Sequence, residues 1–169
     1  SGRNGSVVWV VPYGVDSGIY APSMRENNGA VRFLFVGAVR QMKGISYLLE
    51  AFETVNPESA HLEIVGDCMI PDRLQHKNAS NIEYLGYLLP ETVANRYKDA
   101  DVFVFPSLCD GFGLAALEAM ASGLPVICSA NSGVADLIQD GVNGFVVETG
   151  DAGELRDRIV WFTEHRDRM

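Results

Sequence analysis

Basic residues are scarce: 13 Lys and Arg stand against 22 Asp and Glu in 169 residues, and the formal net charge is −9. With no Lys/Arg-rich run to track a phosphate backbone, nucleic acid is not an expected partner. No stretch is apolar for long enough to span a bilayer, so no transmembrane segment is expected. Cysteine is limited to Cys68, Cys109 and Cys128, an odd number without a Cys-x-x-Cys pair. That argues against a disulfide framework or a structural zinc site and favours a reducing cytoplasm. Cys109 has no His near it in sequence, so it reads as a small packing residue rather than a nucleophile. The chain begins Ser-Gly without Met, lacks a signal-peptide pattern, and reads as a piece of something longer.

What is present is ordinary for a globular domain: 47% hydrophobic, 21% charged and 17 Gly. At this length one domain with one core is expected over residues 1–169. Val7 to Val11 reads as a short strand closed by Pro12 and Gly14, and Met24 to Gly29 as a polar loop. Val31 to Val36 is a strand, Gly37 to Gly44 its loop, and Ile45, Leu48, Leu49 and Phe52 recur at helical spacing until Asn56-Pro57. Strands follow at His61 to Val65 and Asn81 to Leu85, separated by a polar connection over Met69 to Ser80. Pro90 suits a first helical position, with Val93, Tyr97 and Ala100 as the apolar stripe. Val102 to Phe105, Pro125 to Cys128 and Phe145 to Val147 complete the strands. Ser132 is the expected cap of a short helix over Gly133 to Gln139, and Asp151 caps a last one through Leu155, Ile159 and Phe162. Strands alternating with helices predict an α/β fold: a Rossmann-like parallel sheet with helices on both faces.

The informative stretch is Pro106 to Gly123, Pro-Ser-Leu-Cys-Asp-Gly-Phe-Gly-Leu-Ala-Ala-Leu-Glu-Ala-Met-Ala-Ser-Gly. It places a glycine loop between a buried strand and a helix over Leu114 to Ala121. Gly111 and Gly113 let backbone approach a ligand closely, and the helix aims its unpaired amides and dipole at the same spot, a seat for phosphate. Asp110 and Glu118 bracket the seat with acceptors, which suits a nucleotide carrying hydroxyl groups. Glycine at such a junction also serves close helix–strand packing, and the loop alone leaves both readings open.

The longer run Asp-Gly-Phe-Gly-Leu-Ala-Ala-Leu-Glu-Ala-Met-Ala-Ser-Gly-Leu-Pro-Val-Ile closely resembles the signature of glycosyltransferase family 4. That family writes Glu-Gly-Phe-Gly, a second Glu, Ala-Met-Ala, Gly and Pro-Val. The resemblance implies the C-terminal, donor-binding half of a GT-B enzyme, with residues 1–29 leading in from a missing N-terminal acceptor domain. It implies a retaining transfer from a nucleotide-diphosphate sugar, the donor being a substrate and no separate cofactor being needed. The expected location is the cytoplasm, as the cysteines suggest, with the inner membrane face left open through the missing domain.

Carried over residue by residue, Glu118 matches the second glutamate, which accepts hydrogen bonds from ribose hydroxyls. Asp110 matches the first, which contacts donor-sugar hydroxyls, and is one methylene shorter. Lys43 sits where the family carries a lysine for the diphosphate; the residues alone read as a solvated loop lysine. The family's arginine after the first glycine is Ala38 here, and Arg40 is the candidate substitute. Asp110, Glu118 and Lys43 are thus the expected catalytic set. Arg40, Lys43, Tyr87, Gly111, Phe112, Gly113, Leu114 and Glu118 are the expected donor contacts, with Tyr87 either the base wall or a surface turn tyrosine. Asp99-Ala100-Asp101 imitates a metal-binding Asp-x-Asp. It falls where a helix ends and a buried strand begins, in a family that typically needs no metal, so no metal ligand is assigned.

Two readings from other classes stand beside this one. A hydrolytic pair of Asp110 and Glu118 is disfavoured by its placement next to a phosphate seat. A non-catalytic nucleotide-sensing or interaction domain of the same fold is favoured by Ala38 and Asp110. A dinucleotide-binding domain is disfavoured because Gly37 to Gly44 lacks Gly-x-Gly-x-x-Gly.

Overall fold

A computed structural model describes residues 13–23, 29–71, 74–75 and 79–168. The strand expected at Val7 to Val11 lies outside the described residues. Six parallel strands form one sheet: β1 (Val31–Val36), β2 (Ala60–Val65), β3 (Ile82–Gly86), β4 (Val102–Phe105), β5 (Val126–Ser129) and β6 (Gly144–Val147), in the order β3-β2-β1-β4-β5-β6. Among the described residues α1 (Ile45–Glu53), α2 (Pro90–Asp99) and α3 (Leu114–Ala121) connect strands, and α4 (Ala152–Glu164) follows β6.

The central strands read as apolar runs because both of their faces are covered. On one face Phe33, Phe35, Leu62, Ile64, Val102, Val104 and Ile127 pack with Leu48, Leu49 and Phe52 of α1 and Leu155, Ile159 and Phe162 of α4. On the other, Leu34, Val65, Phe103, Phe105, Val126 and Cys128 meet Tyr97 of α2 and Ala116 and Ala119 of α3. The alternation of Phe33 and Phe35 with Leu34 is the period-2 signature of a strand feeding two cores.

The helix ends obey their expected chemistry with one exception. Pro90 occupies the start of α2, where a missing N–H costs nothing. Asp151 Oδ1 accepts from the Glu154 amide at 2.9 Å and caps α4. Ser132 does not cap: its hydroxyl donates back to the Ser129 carbonyl at 2.7 Å. Gly133–Leu137, directly after it, form a 3-10 turn, shorter and tighter than the expected helix.

Strand order reverses between β1 and β4, so the loops leaving their carboxyl ends turn to opposite faces and open a crevice. The two loops are stitched together below it. The Met42 carbonyl accepts from the Leu108 amide at 3.0 Å and from the Ser107 hydroxyl at 3.1 Å. Gly44 makes this approach feasible: at φ 72° it is left-handed, and a Cβ there would lie 1.8 Å from the Pro106 carbonyl oxygen.

Candidate functional site

The crevice holds two adjoining lobes. The first, of about 650 Å³, is lined by Lys43 from the β1 loop, Tyr13 from the lead-in segment, and Asp110 to Ala115 from the loop and first turn of α3. The second, of about 390 Å³, is lined by Gly66 and Asp67 after β2, Tyr87 and Leu88 after β3, Tyr20, Val93 and Glu118. Val36, Gly37 and Ala38 form a wall common to both.

In the first lobe the glycine loop leads into α3. Gly113 precedes α3 at φ 88°, and a Cβ there would meet the Phe105 ring at 2.7 Å. The amides of Leu114 and Ala115, first in the helix, have no intrahelical acceptor and carry the positive end of the dipole. The Phe112 amide is already spoken for, donating to Asp110 Oδ1 at 3.3 Å. The other Asp110 oxygen, Oδ2, pairs with Lys43 Nζ. Lys43 also lies over the Phe105 ring, 5.5 Å from its centroid. One cation, the first amides of a helix and one carboxylate thus share a half-buried space, able to hold a polyanion and to accept from its hydroxyl groups.

In the second lobe Glu118 is the polar anchor. The hydroxyl of Tyr97 donates towards Glu118 Oε2 at 3.1 Å and the Ala115 carbonyl at 3.0 Å. Burial, and then the nearby Glu118 charge, push the Tyr97 phenol well above its ordinary range. The same two causes raise Tyr20, so both phenols are protonated donors at neutral pH. Tyr87 is exposed on the rim, where an aromatic face is free to meet a ring. A carboxylate acceptor with an aromatic rim suits a ribose and its base.

Of the residues singled out by sequence, Lys43, Asp110, Gly111, Phe112, Gly113 and Leu114 come together in the first lobe, and Tyr87 and Glu118 in the second. Arg40 does not join them; it is exposed and lines neither lobe. Sequence reasoning passed over Tyr13, whose ring lies 5.5 Å from that of Phe112, and Tyr20, which packs edge-on to Tyr97. Tyr97 itself reads from spacing as apolar stripe, and its hydroxyl contact leaves no local signal.

The Asp-x-Asp imitation is accounted for by its partners. Asp101 accepts from the Arg32 amide at 2.8 Å and from its guanidinium at 3.3 Å, an ion pair bracing β4 against β1. Among the described residues the group with metal-ligand geometry is His61, Glu63 and Glu83, one ligand atom from each lying within 4.8 Å of the others. It lines neither lobe, and Arg96 already reaches Glu63 at 3.7 Å.

A six-stranded Rossmann-like sheet with a cleft at the strand reversal defines the doubly wound α/β class of domain. The comparisons with known proteins narrow it. The family model for glycosyl transferases group 1 matches residues 30–165, and the chain belongs to that family. An uncharacterized glycosyltransferase of Methanocaldococcus jannaschii is 38% identical over 138 residues, covering 76% of this chain and 33% of the relative. The C-terminal domain of the group 1 protein LpcC from Francisella tularensis superposes with a TM-score of 0.79 at 23% identity, covering 92% of this chain and 90% of that one. HepE of Anabaena, solved in complex with UDP-glucose, gives a TM-score of 0.76 at 20% identity over 92% of this chain and 47% of that one. The fold is therefore the C-terminal half of a GT-B glycosyltransferase. The chain spans 33% to 39% of the length of the first curated relatives that it matches. No helix of the described residues is long and apolar enough to cross a membrane.

Proposed function

We propose that this domain is the donor-binding half of a retaining glycosyltransferase, taking a nucleotide-diphosphate sugar whose sugar passes to an acceptor held by an N-terminal domain. One observation carries the reading: an anion-suited lobe holding Lys43 and the α3 amides shares the Val36–Ala38 wall with a lobe holding Glu118 and Tyr87. A diphosphate and a nucleoside joined end to end fit those two chemistries in that order. The relatives named as glycosyltransferases and the likeness to a UDP-glucose complex support it.

In the proposed transfer the bond between the sugar's anomeric carbon and the diphosphate oxygen breaks, and the acceptor oxygen forms the new bond on the same face. The acceptor's proton goes to the departing phosphate. Lys43 and the amides of Leu114 and Ala115 take up the charge that grows on the diphosphate, the part a metal plays elsewhere. Asp110 accepts from donor-sugar hydroxyls, and Glu118 from the ribose. The donor is a substrate and no cofactor enters. A reducing cytoplasm suits three cysteines that are all free.

Calorimetry with UDP, GDP and ADP, free and sugar-linked, tests this. Saturable binding of one base is expected, weakened about ten- to a hundred-fold by Glu118→Ala. No binding at millimolar ligand by the folded chain refutes the donor-half reading. Binding without transfer by the chain joined to its acceptor domain moves the reading to a nucleotide-sensing domain.

A further inference from the structure

We propose that Tyr97, assisted by Tyr20, is a positioning residue that aims Glu118 into the second lobe and thereby sets the preference for a ribose with free hydroxyls. The inference rests on the donor-binding reading. Glu118 stands on α3, and a glutamate on a helix surface ordinarily samples several rotamers, each aiming its carboxylate elsewhere. Here that freedom is removed from beneath. Tyr97 is fully buried, its ring wedged between Phe103 at 5.6 Å and Tyr20 at 5.7 Å, so its hydroxyl cannot follow a moving partner. That hydroxyl is fixed a second time by the Ala115 carbonyl on the same helix. Tyr20, a part-buried lining residue of the lobe, packs edge-on against the Tyr97 ring and brings its own phenol near the Glu118 charge.

The arrangement exceeds what packing requires. The single phenol proton is shared between the Ala115 carbonyl and Oε2, so it ties the Glu118 carboxylate to a point on its own helix. With one oxygen restrained from below, the carboxylate meets a ribose as a preformed acceptor, and hydroxyl recognition is realised without freezing a loose side chain.

The test compares UDP, GDP and ADP with their 2′,3′-dideoxy forms in calorimetry on the whole chain and on Tyr97→Phe, Tyr20→Phe and Glu118→Ala. Each phenylalanine keeps the ring, and thermal melting identifies the variants that fold. The unmodified protein is expected to prefer the ribose form of its base by about ten-fold or more. Glu118→Ala abolishes that preference, and each folded Tyr→Phe variant reduces the ratio of ribose to dideoxy affinity to within about three-fold. Should Tyr97→Phe not fold, Tyr20→Phe decides. A preference ratio untouched in the folded tyrosine variants overturns the inference and leaves the donor reading intact. Absence of binding to every nucleotide by the unmodified protein overturns both.

Discussion

Lys43 and Asp110, 67 residues apart in the chain, meet across the crevice where the strand order reverses. Each is four-fifths buried, so the pair is more than a solvated surface contact. An arriving diphosphate competes with Asp110 for the same ammonium group. Asp110→Asn should therefore tighten free nucleoside diphosphate, by about three- to ten-fold, through loss of a like charge and release of Lys43. The gain that a sugar-linked diphosphate shows over the free one should shrink in the same variant. Lys43→Ala should weaken both ligands, and titration calorimetry of the two variants separates these effects.

Gly44 is the hinge-pin between the two loops. A side chain there combines left-handed strain with a collision against the Pro106 carbonyl, which backbone cannot easily yield. Gly44→Ala should cost about 2 to 4 kcal/mol in denaturant unfolding. Gly111→Ala, at a position with nothing near a built Cβ, should cost far less.

Asp101 is a structural anion and Asp99 an exposed helix-end residue. Asp101→Ala should destabilise the fold by about 1.5 to 3 kcal/mol, because it strands the Arg32 amide and guanidinium. Asp99→Ala should be neutral. Neither substitution, nor a strong chelator, should alter nucleotide affinity; chelator-sensitive binding would restore a metal to the site.

The three thiols divide by environment. Cys68 and Cys109 are exposed, whereas Cys128 is buried in β5 and burial pushes its thiol from the ordinary 9.0 up to about 11. A disulfide reagent should titrate two thiols in the native protein and the third on unfolding. Because the folded pKa is raised, the contribution of Cys128 to stability is complete below about pH 9 and is lost as pH climbs towards 11. Cys128→Ala should blunt alkaline unfolding across that window.

The strands and helices were legible because burial on both faces leaves a continuous apolar run such as Val102 to Phe105, and because Pro90 and Asp151 have local reasons for their positions. Ser132 misled because a hydroxyl can bond backward to a carbonyl as readily as forward to an amide. The glycine loop and Glu118 were legible through the motif. Tyr13 and Tyr20 were not: they reach the lobes through long-range contacts with Phe112 of the glycine loop and Tyr97 of α2, with no periodicity to betray them. Arg40 was offered as the substitute for the family's arginine at Ala38, but it stands just before the 3-10 turn at Gln41–Lys43 and is left exposed outside both lobes.

The wall formed by Val36, Gly37 and Ala38 gives the cleft the character of a gauge. Glu118 stands on α3 and Lys43 on the turn after β1, so the fold sets the distance between their backbones. A molecule engages both only if the spacer between its hydroxyl-bearing ring and its negative charge has the matching span. On the proposed donor reading, length is thereby one criterion by which a ligand is sorted.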